Sequence, residues 1–139
     1  KNYCMKKIFT NGCFDVLHRG HLELFEYAKS LGYLYVGVDS DEKVQQDKGI
    51  NRPYNKLGNR IKMLQSLRFI DEIRSFNSTE GLEDLIRGIS PDILIIGSDW
   101  RGKKVVGKKY AKELRFFERI PGYSTTKILE YNYYRSEKK

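Results

Sequence analysis

At 139 residues, with 40% hydrophobic and 32% charged side chains, the chain is long enough for one globular domain with a full core. No apolar run reaches membrane-spanning length, the start Lys1-Asn2-Tyr3-Cys4 does not read as a signal peptide, and two cysteines exclude a disulfide framework. The net charge of +8 points to an anionic partner. Three kinds fit that charge: nucleic acid, phosphate-rich metabolites or an anionic membrane surface. Much of the excess lies in Lys103, Lys104, Lys108 and Lys109 and in the tail Arg135, Lys138 and Lys139, which read as solvated surface. No basic stretch with interleaved aromatics marks a nucleic-acid binder. The expectation is a cytoplasmic protein that binds neither nucleic acid nor membrane. A single domain is expected over 1–139, with Met5 as its natural start, residues 1–5 outside the folded unit and 134–139 as a frayed tail.

In chain order, the pattern predicts strands at 7–10, 34–38, 72–76, 93–96 and 115–119, and helices at 21–31, 56–68, 80–88, 107–114 and 125–133. The segments between strands are long enough for crossover helices, which favours an α/β fold: a doubly wound, Rossmann-like parallel sheet of five strands with helices on both faces. Ile93-Leu94-Ile95-Ile96 is a continuous apolar run, as a strand covered on both faces should be. In such folds ligands sit beyond the carboxyl ends of the strands. Polar clusters fall at four of those ends: Asn11 to His21; Asp39-Ser40-Asp41 with a loop to Lys48-Gly49; Gly97-Ser98-Asp99-Trp100; and Pro121 to Lys127.

The first cluster carries most of the information. Asn11-Gly12-Cys13-Phe14-Asp15-Val16-Leu17-His18-Arg19-Gly20-His21 holds both histidines of the chain, three positions apart, between a strand and a helix start. Backbone N–H groups at a helix start bind phosphate, and two imidazoles delivered there make a candidate phosphoryl-transfer site. Zinc is not expected, because Cys13 and two histidines leave a closed site one ligand short. Ser124, Thr125 and Thr126 open another helix, where hydroxyls and free N–H groups favour an anion beyond what an N-cap needs. Gly97 lets a planar ring approach the backbone, Asp99 can accept from a base or ribose, and Trp100 can stack. Lys48 and Arg52 lie in a polar loop of the kind that closes over a substrate.

The paired motifs, the eleven residues above and Gly122-Tyr123-Ser124-Thr125-Thr126-Lys127-Ile128, resemble the cytidylyltransferase-like nucleotidyltransferases over nearly the whole chain after Lys6. Two branches match in different places. Asp47-Lys48-Gly49, Arg52-Pro53-Tyr54-Asn55, Arg60, Ser90 to Leu94 and Val105-Val106-Gly107 resemble the heptose 1-phosphate adenylyltransferase domain of ADP-heptose synthesis. Leu67 to Glu72, Gly97 to Lys103 and Arg119 resemble glycerol-3-phosphate cytidylyltransferase. The heptose-type match covers more positions. The resemblance implies an enzyme that joins a nucleoside triphosphate, ATP or CTP, to a phosphorylated sugar or polyol and releases pyrophosphate. It implies Mg²⁺ brought by the nucleotide, no metal held by the protein alone, and a homodimer. His18, His21 and Lys48 would be catalytic. Thr10, Asn11, Gly12, Phe14, Asp15, Gly97, Asp99, Trp100, Arg119, Ser124, Thr125 and Thr126 would bind the nucleotide, with Asp15 either orienting a histidine or approaching the Mg²⁺-triphosphate. A nucleotide-binding protein without catalysis is the remaining alternative.

Overall fold

A computed structural model describes residues 5–119, 124–126, 128 and 129. Five strands, β1 (Lys7–Gly12), β2 (Tyr33–Asp39), β3 (Glu72–Phe76), β4 (Ile93–Gly97) and β5 (Glu113–Phe117), form one parallel sheet in the order β3-β2-β1-β4-β5. The chain winds outward from β1 to β3, then returns to β4 and β5, so the switch of direction lies between β1 and β4. Helices α1 (Arg19–Leu31), α2 (Asp41–Lys48), α3 (Leu57–Gln65) and α4 (Thr79–Ile89) make the crossovers.

Alternation along the strands splits the core in two. Ile8, Val36, Val38, Ile93 and Ile95 face one side and pack with Phe25 and Ala28 of α1 and Leu64 of α3. Phe9 and Leu94 face the other and pack with Leu82, Ile86 and Ile89 of α4. Gly37 sits in the middle of β2 because a Cβ there would lie 2.8 Å from the Phe9 ring. At the common density of protein interiors that contact leaves no room for a side chain.

Four expectations are corrected. The helix expected at 107–114 is a single 3-10 turn, Lys108–Tyr110, and β5 begins at Glu113 instead of 115. Gly107 adopts φ +81° and lies against Ile86, so the backbone here turns sharply and packs on α4. The loop expected before Lys48 is α2. It has one buried residue, Val44, and so lacks an apolar stripe. It is held by the Ser40 hydroxyl, which accepts from the Lys43 N–H at 3.1 Å, by Asp41 and Glu42 in the first turn, and by a Lys43–Asp47 pair at 2.8 Å. Finally, the helix expected at 56–68 is shorter, Leu57–Gln65, and shows Arg60 and Leu64 to the interior, with Ile61 only partly covered. The helix expected at 125–133 lies largely outside the described residues; within them, the Ile128 N–H donates to the Ser124 carbonyl at 3.1 Å.

Candidate active site

A cavity of about 660 Å³ opens beyond the carboxyl ends of β1, β2, β4 and β5. Its wall includes His18, His21, Lys48, Asn11, Gly12, Phe14, Asp15, Gly97, Asp99, Trp100, Arg119, Ser124, Thr125 and Thr126. The four segments singled out in the sequence therefore meet at one place. Thr10 does not join them: it is fully buried inside β1, opposite Val36.

The two histidines are fixed by the start of α1. His18 is the N-cap, and its Nδ1 accepts from the Gly20 N–H at 3.0 Å. Nδ1 of His21 accepts from the His18 N–H at 3.2 Å. Each side chain thus satisfies a backbone N–H that the helix start would otherwise leave unpaired. A ring nitrogen that accepts carries no proton, so each neutral imidazole bears its proton on Nε2. The rings stack with centroids 3.9 Å apart, and Phe14 meets His21 edge-on at 5.4 Å. Phe14 holds that place from a left-handed backbone, φ 49°. Its ring also requires glycine at position 12, where a Cβ would lie 3.0 Å from the ring. Burial, then the unfavourable placing of a second positive charge beside His18 and Arg119, pushes the His21 pKa down to about 3. His18 is lowered too, by burial and then by Arg119. Both shifts favour the neutral imidazole, with the proton on Nε2.

Asp15 is engaged by the loop at Arg52 to Asn55. Its carboxylate is fully buried and accepts from the backbone N–H of Tyr54 at 2.7 Å and of Asn55 at 2.8 Å, and from Arg52 Nε at 3.1 Å. It anchors the 52–55 loop beneath the cavity, touching no histidine nitrogen among the described residues. Arg52 continues the chain of contacts, with Nη1 3.5 Å from the Thr126 hydroxyl. Arg60 is the second hub. Fully buried, it donates to the carbonyls of Asn55 (2.9 Å), Cys13 (2.9 Å) and Asp39 (2.8 Å), and pairs with Asp41 at 2.8 Å. One guanidinium thus ties the histidine turn, the end of β2, the start of α2 and the loop together. Its role went unread in the sequence, although an arginine four residues before Leu64, on the core face of a helix, signals a buried charge that needs partners.

The opposite rim is built differently. Asp99 and Arg119 pair at 2.8 Å with both side chains about half exposed. Trp100 is 50% exposed, with Lys103 Nζ 5.9 Å from its ring. The Thr125 hydroxyl donates to the Val16 carbonyl at 2.8 Å, so it docks the second helix start onto the histidine turn. Cys13 also lines the cavity, and burial pushes its thiol pKa up, which keeps it a poor nucleophile.

The cavity lies at the switch point of the sheet and gathers two helix starts of the kind that bind anions. The cytidylyltransferase-like family model matches residues 9–131, and the chain belongs to that family. Among curated relatives, the chain is 47% identical over 126 residues to "Bifunctional protein HldE" of Helicobacter hepaticus, covering 90% of this chain and 26% of that protein. It is 44% identical over 123 residues to the protein of the same name from Campylobacter fetus, covering 88% and 27%. The chain thus spans about a quarter of the length of these relatives. The fold is shared with the lipopolysaccharide core biosynthesis protein of Thermoplasma volcanium, at TM-score 0.69 and 22% identity over 84% of this chain and all of that one. It is shared as well with pantoate-β-alanine ligase of Francisella tularensis, at TM-score 0.59 and 17% identity over 93% and 69%. Among the described residues no helix is long and apolar enough to cross a membrane.

Proposed function

We propose that this domain transfers an adenylyl group from ATP to a sugar 1-phosphate of the heptose type and releases pyrophosphate. The observation that carries the reading is the pair of neutral imidazoles held at the α1 start inside the shared cavity. The heptose-type motif resemblance and the identity to the HldE proteins support the choice of acceptor. An acceptor phosphate oxygen attacks the α-phosphorus in line. The bond to the bridging oxygen breaks, and its electron pair leaves with pyrophosphate. The nucleophile is already an anion, so no side chain has to remove a proton or form a covalent intermediate. Catalysis reduces to positioning and to stabilising the charge that develops.

In this reading His18 and His21 donate from Nε2 to the α-phosphate and the bridging oxygen. Being neutral, they lose less solvation on burial than imidazolium would. Lys48, on the last turn of α2, brings a cation to the phosphates. Ser124 to Thr126 place backbone N–H groups against the β- and γ-phosphates. Asp99, Trp100 and Gly97 face the nucleoside, with Arg119 beside them. Mg²⁺ carried on the triphosphate would offset its charge. Of the carboxylates lining the cavity, Asp15 is held by Arg52, Asp47 by Lys43 and Asp99 by Arg119. Among the described residues no three His, Cys, Asp or Glu gather as ligands. Mg²⁺ would arrive with the nucleotide and its waters. We also propose a homodimer, since β3 and β5 are the edge strands of the sheet and edges are commonly covered. A cytoplasmic setting suits a protein that uses ATP.

One observation favours a second reading. Trp100 and the Asp99–Arg119 pair belong to the cytidylyl-type resemblance, so CTP with glycerol 3-phosphate is the competing substrate pair. Incubation with α-labelled ATP, Mg²⁺ and heptose 1-phosphate tests the first. The expected result is label in a nucleotide sugar with one pyrophosphate released per product. Label appearing only as AMP, or no pyrophosphate at all, would remove it.

A further inference from the structure

We propose that Asp39 reads the hydroxyl groups of the acceptor and turns the acceptor's phosphate toward the histidines. This rests on the transferase reading above and names the residue that selects a polyhydroxylated substrate. Asp39 ends β2 opposite Phe76 and lines the cavity beside Lys43, Asp47 and Thr79. Its carbonyl is taken by Arg60, but among the described residues no donor reaches its carboxylate. The nearby Lys43 ammonium is committed to Asp47 at 2.8 Å. Burial pushes the Asp39 carboxyl pKa up, the mark of a charge that has lost water without gaining a donor.

A carboxylate with the Lys43, Asp47, Arg60 and Lys48 charges around it but, among the described residues, no hydrogen-bond donor of its own, in a cavity meant for phosphates, needs a reason. It repels a phosphate, and it attracts O–H donors, two of which it can accept from a vicinal diol. Its place in the sheet decides between ligands. β1 lies between β2 and β4, which puts the end of β2 about 10 Å, two strand spacings, from the end of β4 where Asp99 and Trp100 sit. The histidine turn lies between them, after β1. A nucleoside on the β4 side and an acceptor on the β2 side then meet at the histidines. With Asp39 behind it, the acceptor's phosphate has its favourable direction toward that meeting point. The hydroxylated body stays against Asp39 and Thr79.

The test compares wild type with Asp39→Leu, which removes acceptor oxygens at similar size, and Asp39→Asn, which keeps one. The whole chain is used with ATP, Mg²⁺ and heptose 1-phosphate, and with CTP and glycerol 3-phosphate. Ethyl phosphate serves as the acceptor without hydroxyls. The expected result is a KM for the hydroxylated acceptor raised about tenfold or more in Asp39→Leu, the worth of a charge-assisted hydrogen bond. The KM for the nucleotide should stay within about twofold, and Asp39→Asn should recover much of the acceptor affinity. The preference of the wild type for hydroxylated acceptors over ethyl phosphate should shrink in Asp39→Leu. An unchanged acceptor KM overturns the proposal. So does a loss that falls on nucleotide affinity or on the Mg²⁺ requirement, which would make Asp39 a ligand of the metal–nucleotide. If the wild type uses glycerol 3-phosphate and no sugar 1-phosphate, the choice of substrate above fails, while Asp39 is still judged by the KM for glycerol 3-phosphate. If it transfers to neither acceptor, calorimetric binding of the two acceptors decides, and equal affinity in wild type and Asp39→Leu overturns the assignment.

Discussion

The two rims of the cavity are made of the same kinds of residue in opposite states. On the β1–β2 side, Asp15 and Arg60 are fully buried, and their charges are spent on backbone groups and on each other's loops. On the β4–β5 side, Asp99 and Arg119 form an ion pair of similar length with both partners about half exposed. A buried guanidinium with every nitrogen engaged fixes geometry, whereas an exposed pair gains little and rearranges easily. The histidine turn belongs to the fixed side, through the Arg60 bond to the Cys13 carbonyl. The difference assigns preorganisation to the place where charge develops and adaptability to the place where a nucleoside enters and leaves.

The contrast is broken most severely at Arg60. Arg60→Met should cost about 3–5 kcal/mol of stability, because it strands three carbonyls and removes the ion-pair partner of Asp41. Urea unfolding measures it, and a loss under about 1 kcal/mol would mean that the hub is replaceable. His21→Ala comes next. It should lower kcat roughly a hundredfold or more, with a smaller effect on stability of about 1 kcal/mol from the lost capping contact. Unchanged turnover would end the proposed role of the turn.

A pH series sharpens the same point. With the His21 pKa at about 3 when folded, against an ordinary 6.5, the unfolded chain binds a proton below pH 6.5 that the folded chain refuses. Stability should therefore fall as pH drops from about 6.5 toward 3, with no contribution above that window. Imidazole ¹⁵N shifts of the free protein check the cause: His21 should stay neutral, protonated on Nε2, at pH 5. A midpoint near 6.5 would contradict the burial argument. The smallest effect is expected on the exposed rim. Arg119→Ala should change stability by less than about 1 kcal/mol, and it should act on nucleotide KM more than on Tm. A large drop in Tm would show that this rim is as fixed as the other.

The same contrast explains what the sequence made legible. Strand runs such as Ile93 to Ile96 and the histidine turn speak through local pattern, and both fall where expected. The misses have local causes of a different sort. Helix α2 buries only Val44, so its periodicity is nearly silent, and only the Ser40-Asp41-Glu42 cap announced it. Residues 107–114 look helical in composition, but Gly107 turns with positive φ against Ile86, a contact made across the sequence. Thr10 reads as part of the motif and is interior in β1. The loop contacts of Asp15 left no local trace, because its partners at Arg52 to Asn55 lie some 37 to 40 residues away. Residues that act through distant backbone groups, such as Arg60, leave only an out-of-place charge as their trace.

The most direct test of the account is a comparison of kcat/KM for the two substrate pairs, ATP with heptose 1-phosphate and CTP with glycerol 3-phosphate, with pyrophosphate release as the common readout. The account predicts the higher value for ATP with the sugar 1-phosphate, and loss of that activity in His21→Ala. A higher value for CTP with glycerol 3-phosphate would contradict it.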